Sequence, residues 1–425
     1  MTRRRETRGK AGQAGARLRG ARCAGTGAWL LAGLCLLALT GCDALAGLVD
    51  PEDPGDPPTR VVEGVSTEVA AMVGTFARGP LHRPFLLESM AEFDTWYGGV
   101  DPAHEASFHV RAFFQNGGRR LWVSRAAAAT PAGLLGGGVA GTGMLALDDA
   151  NRFDLLLVPE LFTSNQVTDR AVAAGTAIAY AGSRGAMMLL DPPAEVQDPQ
   201  ALVAWVNGSA LQLRSRHAAL FYGRLQVPEA GGGGGTGGSG GTRWIGASGA
   251  AAGLYGWNDR ERGVWAPPAG TSLPGMVGVQ DTDALTTAQR ESLTQAQVNT
   301  LQRGPVRLWG ARTLLGGESA YTFVHVQRLA TYVEARVRGA LTWTAGQPMD
   351  VPLWIRAQAD TEALLQELWV QGAFQGLVAR DAYFARCDAS THTSADIAAR
   401  RLKVVLGFAA IRPGEFVPLV ITVQL

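Results

Sequence analysis

Two histidines flank a glutamate in His104-Glu105-Ala106-Ser107-Phe108-His109, the stretch of this chain closest to a metal-binding motif. Zinc held by two histidines of one helix needs them four residues apart, on one face, with the glutamate as general base. Here the second histidine lies five residues on, about 140° around a helix from the first. The pair reads as two surface or partly buried histidines of an amphipathic helix. Gly136-x-Gly138-x-x-Gly141 has a dinucleotide-cradling spacing, but it sits in a glycine-dense stretch without a strand before it and a helix after it. The tract GGGGGTGGSGG (231–241) lacks the Gly-Lys-Ser/Thr of a phosphate loop. Ser272, after Gly270 and Thr271, would act as a nucleophile only beside a histidine base oriented by an aspartate. No His-Gly pair occurs anywhere, and Leu273-Pro274 follow at once. His82, His217, His325 and His392 are scattered, without acidic partners at metal spacing. The sequence therefore gives no catalytic residue, no metal site and no cofactor.

The cysteines point to different chemistry. Cys23, Cys35 and Cys42 fall in the first tenth of the chain and Cys387 stands alone, with no C-x2-C pair. Residues 1–22 carry Arg3, Arg4, Arg5, Arg8, Lys10, Arg17, Arg19 and Arg22 against Glu6. The uncharged AWLLAGLCLLALT (28–40) follows, shorter than the roughly 18 to 20 residues of a membrane-spanning helix. It ends in Leu39-Thr40-Gly41-Cys42, which resembles the bacterial lipoprotein box. That resemblance implies a signal peptide over 1–41, lipid attachment at Cys42, and a cell-envelope location, inner or outer membrane undetermined. Several acyl chains on one residue would make the anchor stable. The spacer 42–60, ending in DPEDPGDPPTR, is acidic and proline-rich and should stay extended. The competing reading is a chance apolar run upstream of a misassigned start codon, which would return the chain to the cytoplasm.

Of 425 residues, 47% are hydrophobic and 18% charged, so the chain mostly folds, and a net charge of +1 argues against a nucleic-acid partner. From residue 61 short apolar runs alternate with helical patterns, the signature of an α/β protein. Ser89-x-x-Glu92 predicts a capping box, and residues 104–116 predict a helix with Phe108, Ala112 and Phe113 on one face, stopped by Gly117-Gly118. Strands are expected at 120–126, 154–160, 186–193, 217–225 and 306–313, and helices near 286–302, 321–338 and 354–372. Beyond these, 383–388, 402–411 and 416–425 are strand-like. An apolar strand at the end of the chain must be paired, at home or with a neighbour, since an open apolar edge aggregates.

Residues 61–125 contain GVSTEVAAMVGTFARGPLHRPFLLESMAEFDTWYGG and FHVRAFFQNGGRRLWVSRA. Further on come SGAAAGLYGWNDRERGVWAPPAG (248–270), Arg307-Leu308-Trp309-Gly310-Ala311-Arg312-Thr313-Leu314, and LWVQGAFQGLVARDAYFARCDASTHTSADIAARRLKVVLGFAAIRPGEFV (368–417). In this order they resemble the phage tail sheath family of contractile tails and contractile injection systems. The resemblance implies a mixed α/β (α+β) fold: a subtilisin-like three-layer middle domain without protease function, and a C-terminal α+β sheath polymerisation domain. The expected division is a sheath N-terminal and subtilisin-like region over 61–300, with the Gly-rich loop 231–241, and a C-terminal domain over 301–425. It implies a non-enzymatic homo-oligomer of sheath rings around an inner tube, with baseplate proteins as partners and terminal strands exchanged between subunits.

In that frame Val417, Leu419, Val420, Ile421, Thr422 and Val423 are candidates for an inter-subunit strand, against an ordinary strand of their own domain. Arg400, Arg401 and Lys403 could face the tube, against a solvated charged edge. The chain departs from the family where an N-terminal arm is expected: the lipoprotein-like box and spacer stand there, with Val61-Val62-Glu63 as a remnant. Three readings stay open: a sheath whose leader is an artefact; an exported, lipid-anchored sheath-fold protein that uses the strand-exchange surface for envelope binding, as a binding module without contraction, or for self-association; and, remotely, a membrane-tethered subtilisin-like hydrolase.

Overall fold

In the computed structural model, which describes residues 65–163, 170–196, 198–229, 241–274, 276–280 and 285–425, the apolar runs become strands of one large sheet. Its strands are β1 (Val69–Gly74), β2 (Phe85–Leu87), β3 (Arg120–Arg125), β4 (Leu155–Leu157), β5 (Met187–Leu190), β6 (Ala218–Tyr222), β10 (Val298–Gln302) and β11 (Arg307–Trp309). They lie in the order β11-β10-β6-β5-β4-β1-β3-β2. The six inner strands are parallel and each edge strand is antiparallel. Continuous burial explains their continuous apolar sequence: Val69, Ala71 and Val73 of β1 enter the core on one face, Ala70 and Met72 that on the other. A second, antiparallel sheet joins β8 (Thr242–Ile245), β7 (Leu225–Pro228) and β9 (Gly278–Val279).

Helices cover both faces. On one lie α3 (Arg170–Ser183), α4 (Pro199–Gly208) and α6 (Thr287–Gln295), contributing Ala174, Ala177, Leu202 and Leu293. On the other lie α1 (Met90–Tyr97), α2 (Glu105–Gln115) and α5 (Ser248–Arg262), contributing Phe93, Tyr97, Phe108 and Tyr255. The result is three layers. Ser89 caps α1 by accepting from Glu92 N–H at 3.3 Å, and Gly98 ends it at φ 89°. The expected box is half formed, because Glu92 Oε2 accepts from Glu88 N–H at 2.9 Å. α2 has no cap of its own at His104; buried Glu160, from a helix some fifty residues on, accepts from Ala106 N–H and takes that place.

The helix expected near 286–302 is shorter than its pattern. A Thr286–Gln289 capping box opens α6, but Gln297 at φ 68° turns the chain, and Val298–Gln302 runs on as β10. The expected division between residues 300 and 301 falls inside that strand, and the large sheet continues to Trp309. A third core is then built from α7 (Val324–Ala340), α8 (Val351–Val370) and a sheet in the order β12 (Tyr383–Arg386), β13 (Arg401–Phe408), β14 (Val417–Gln424). A short helix, α9 (Ser394–Ala398), leads into β13. Among the described residues no helix is long and apolar enough to cross a membrane. The signal-peptide stretch, Cys42 and the spacer lie outside the described residues, as do residues 231–240 of the glycine tract.

Candidate assembly surface

The terminal strand is paired at home. β14 runs antiparallel to β13 in an unbroken register from Phe408 opposite Val417 to Arg401 opposite Gln424. All six residues expected to form an inter-subunit strand lie in this ladder. Val417 and Ile421 are buried, and Leu419 and Val423 pack against the same core beside Leu402, Val404, Leu406 and Phe408. Val420, 61% exposed, and Thr422 lie on the opposite face, opposite Val405 and Lys403. A hydrogen bond of 3.0 Å from Leu425 N–H to Arg400 O sets the parity: odd-numbered residues of β14 bond to β13. The main-chain groups of Pro418, Val420, Thr422 and Gln424 therefore point to the open edge. Proline at 418 costs the ladder nothing, because its missing N–H would have faced outward.

Side chains of neighbouring elements already occupy part of that edge. Arg338, in the last turn of α7, donates to Thr422 O at 2.7 Å while pairing with Glu334 at 2.9 Å. Tyr321 OH donates to Pro418 O at 3.4 Å. The outward N–H groups are those of Val420, Thr422 and Gln424, so a further strand could be received only if Arg338 and Tyr321 gave way.

The three basic residues have separate fates. Arg401 and Lys403 both pair with Asp396 of α9, at 3.0 and 2.6 Å. Asp396 also accepts from Thr393 Oγ1 at 2.6 Å and from Thr393 N–H, closing a capping box. Lys403, then Thr393, hold its carboxyl well below the usual carboxylate range. Arg400, at φ 53° in the turn before β13, donates to Gln347 O at 2.9 Å. One carboxylate thus offsets one of the three positive charges, and the sequence reading missed this counter-ion although Asp396 lies only seven residues before Lys403.

The positions tested for catalysis are equally well placed. Ser272 makes a single bridge to Arg307 at the sheet edge. His104 is partly exposed, with Nδ1 3.0 Å from Thr75 Oγ1, whose hydroxyl donates to Glu160 at 2.7 Å. His104 fits the reading of surface or partly buried histidines, whereas His109 is fully buried and departs from it. α2 and α5 cross so closely that a Cβ on Gly249 would lie 2.5 Å from His109 O and one on Gly253 2.2 Å from Phe113 O. At this crossing Ser248, His109 and Asp191 come together, a grouping the sequence reading did not find because its members are 139 and 57 residues apart. Ser248 Oγ donates to Asp191 at 2.5 Å, Ser248 N–H donates to the same carboxylate at 2.9 Å, and Gly249 N–H donates to His109 Nδ1 at 3.3 Å. The serine proton is thus committed to the aspartate, and the histidine lone pair to a backbone amide. That inverts the order a nucleophile needs. Ser248 is also only 1% exposed. Among the described residues no three His, Cys, Asp or Glu side chains are placed to hold a metal ion. Cys387 is free and buried, and burial pushes its thiol up to about 12.

No protein-family model matches the chain. A prophage major tail sheath protein of Pseudomonas aeruginosa (strain UCBPP-PA14) is 30% identical over 132 residues, 30% of this chain and 34% of that protein, so the match spans about a third of the curated relative. Most of the chain superposes on solved structures. A chain of the anti-feeding prophage baseplate matches at TM-score 0.65 and 25% identity, over 89% of this chain and 98% of that one. A chain of the same prophage's helical sheath in the contracted state matches at 0.63 and 24%, over 86% and 98%. The sheath tail protein of Listeria innocua matches at 0.58 and 10%, over 86% and 96%. The chain has the mixed α/β fold of tail sheath proteins, and the relative's name and these structures support the sheath resemblance.

Proposed function

We propose that this protein is a non-catalytic, self-assembling subunit of a contractile-type sheath, built around an inner tube and joined to a baseplate, with β14 as the exchanged element. The observation that carries the proposal is the near-complete superposition on a contractile-system chain at 25% identity, 98% of which is covered. The fold supplies the means. β14 is joined to β13 through the loop 409–416, and an identical strand from a neighbour could make the same eight pairs. Arg401 and Lys403 share the single carboxylate of Asp396, so this edge would still present a net positive charge to a tube.

The proposal is tested with the full-length chain by sedimentation and negative-stain electron microscopy. Rings or tubes are expected, and truncation before Phe416 should abolish them. Truncation also uncovers the core that Val417 and Ile421 fill, so Val420→Pro is the second variant. It removes an outward N–H, keeps the cis ladder, and would obstruct an added strand while leaving exchange of β14 intact. A wild-type protein that stays monomeric at all concentrations sinks the proposal. The basic leader, apolar run and Cys42 box support export and acylation of the same subunit, a sheath fold tethered to an envelope membrane.

A further inference from the structure

The seam between the large sheet and α7 contains three buried side chains that each carry one polar atom without a partner in the protein. They are Asp154 Oδ2, Gln327 Oε1 and Arg328 Nε. Their residues are 6%, 3% and 6% exposed. All three line one cavity with Thr67, Gly185, His217, Val264 and Thr331, and it offers about 10 Å³ to the centre of a water-sized sphere, close to the least that one molecule needs. Buried polar groups almost always bond to something, so three orphans around one small cavity point to a shared ligand.

We propose that this cavity is a binding site for a single ordered water, which donates to Asp154 Oδ2 and Gln327 Oε1 and accepts from Arg328 Nε–H. Two acceptors and one donor are the complement of a water making three hydrogen bonds. A cation is disfavoured by the guanidinium of Arg328, and an anion by the carboxylate of Asp154. Several other polar groups of the wall are engaged. Thr67 O accepts from Arg328 Nη2 at 2.7 Å, Thr331 Oγ1 is 3.1 Å from Gln327 Nε2, and His217 Nδ1 is 3.1 Å from Ala186 O.

The site lies where the two parts of the fold meet. Asp154 stands immediately before β4 of the large sheet. Gln327 and Arg328 belong to α7, which starts in the sheet's core at Val324 and continues into the C-terminal core at Val326 and Leu329. Arg328 is also gripped by Asp259 of α5, at 2.9 and 2.5 Å. The Asp259 grip fixes the end of the guanidinium and leaves Nε without a partner beside the cavity that Arg328 lines. The water then ties the sheet to the helix that carries the assembly domain. The inference does not depend on strand exchange.

The test is a structure of the full-length protein at a resolution that shows waters. One density peak is expected within about 2.7–3.2 Å of all three atoms. A dry seam, or a peak that misses any of the three, overturns the proposal. Deuteron relaxation dispersion in solution counts long-lived internal waters. Gln327→Met, which fills the space and removes one acceptor, should show one fewer than wild type, and an unchanged count also overturns it. The wild-type structure decides even if the variant fails to fold.

Discussion

A disulfide between residues 405 and 420 would report directly where the terminal strand sits. Val405 and Val420 are opposite one another in a pair that shares no ladder hydrogen bonds. Such pairs bring their Cα atoms to about 4.5 Å, within the span of a disulfide. Both lie on the face away from the core, so Val405→Cys with Val420→Cys leaves Val417 and Ile421 in place. Oxidised in the free subunit, the bond closes a loop of about 15 residues and should stabilise the cis arrangement by ~3 kcal/mol. An unlocked strand already favours its own groove. At an effective concentration of about 1 mM against about 1 μM of subunits, a neighbour's strand is disfavoured by ~4 kcal/mol, which the other contacts of an assembly must offset. Subunits oxidised first should therefore melt higher and fail to assemble. Subunits assembled reduced and then oxidised should give covalent multimers on a non-reducing gel, with wild type alongside as the control for the native cysteines. Buried Cys387 stays out of the exchange because its thiolate is disfavoured. If pre-oxidised subunits assemble normally and late oxidation yields only intramolecular bonds, β14 remains at home and strand exchange is wrong.

Intact-mass analysis of the native protein's N-terminal peptide should find an acylated Cys42; an unmodified residue at or beyond the spacer would return the protein to the cytoplasm. Gly253→Ala places a methyl 2.2 Å from Phe113 O at the α2–α5 crossing, and overpacking of this kind should cost about 1–3 kcal/mol, read as a lower denaturant midpoint; an unchanged midpoint would show that the helices can separate freely. Burial raises the carboxyl of Asp154 to about 6, against the opposing pull of Arg152 and Arg328, with Asp259 reinforcing the rise. Its folded value lies above its unfolded one, so its contribution to stability is fully present below about pH 4 and is lost as pH rises through about 6. Two pH units correspond to at most ~3 kcal/mol. Chemical denaturation across pH 4 to 7.5 should show this slope in wild type and a flatter profile in Asp154→Asn; parallel profiles would remove Asp154 as its source.

The strands of the large sheet were legible because burial on both faces leaves nearly unbroken apolar runs, as in Leu155–Leu157 and Met187–Leu190. Boundaries were less so. The pattern carrying a helix through 286–302 holds no glycine or proline to stop it before the turn at Gln297, where a non-glycine residue takes φ 68°. Contacts made across long stretches of chain left no local mark. Glu160 capping α2, Arg338 reaching Thr422 O, and Asp191 taking the Ser248 proton are all set by packing between distant elements. The burial of His109 follows from Gly249 and Gly253 on another helix, and no periodicity within residues 104–116 encodes it.

The home register of β14 also constrains what an exchanged strand could do. Val417 and Ile421 are buried, whereas Val420 is 61% exposed and Pro418 has no N–H to give. A slip by one residue would turn Val420 and Pro418 toward β13 and the core, and Val417 and Ile421 toward solvent. It would also set proline where a ladder donor is needed. A neighbour's strand is therefore held to the same pairing, Val417 opposite Phe408 through Gln424 opposite Arg401. Under exchange, the spacing between subunits follows from that fixed register and from the reach of 409–416. Every contact would repeat the first without adjustment, the condition a regular helical assembly must meet. The cis ladder of the isolated chain is thus compatible with exchange, since both states use the same pairs, and the disulfide experiment separates them by asking only whose strand makes them.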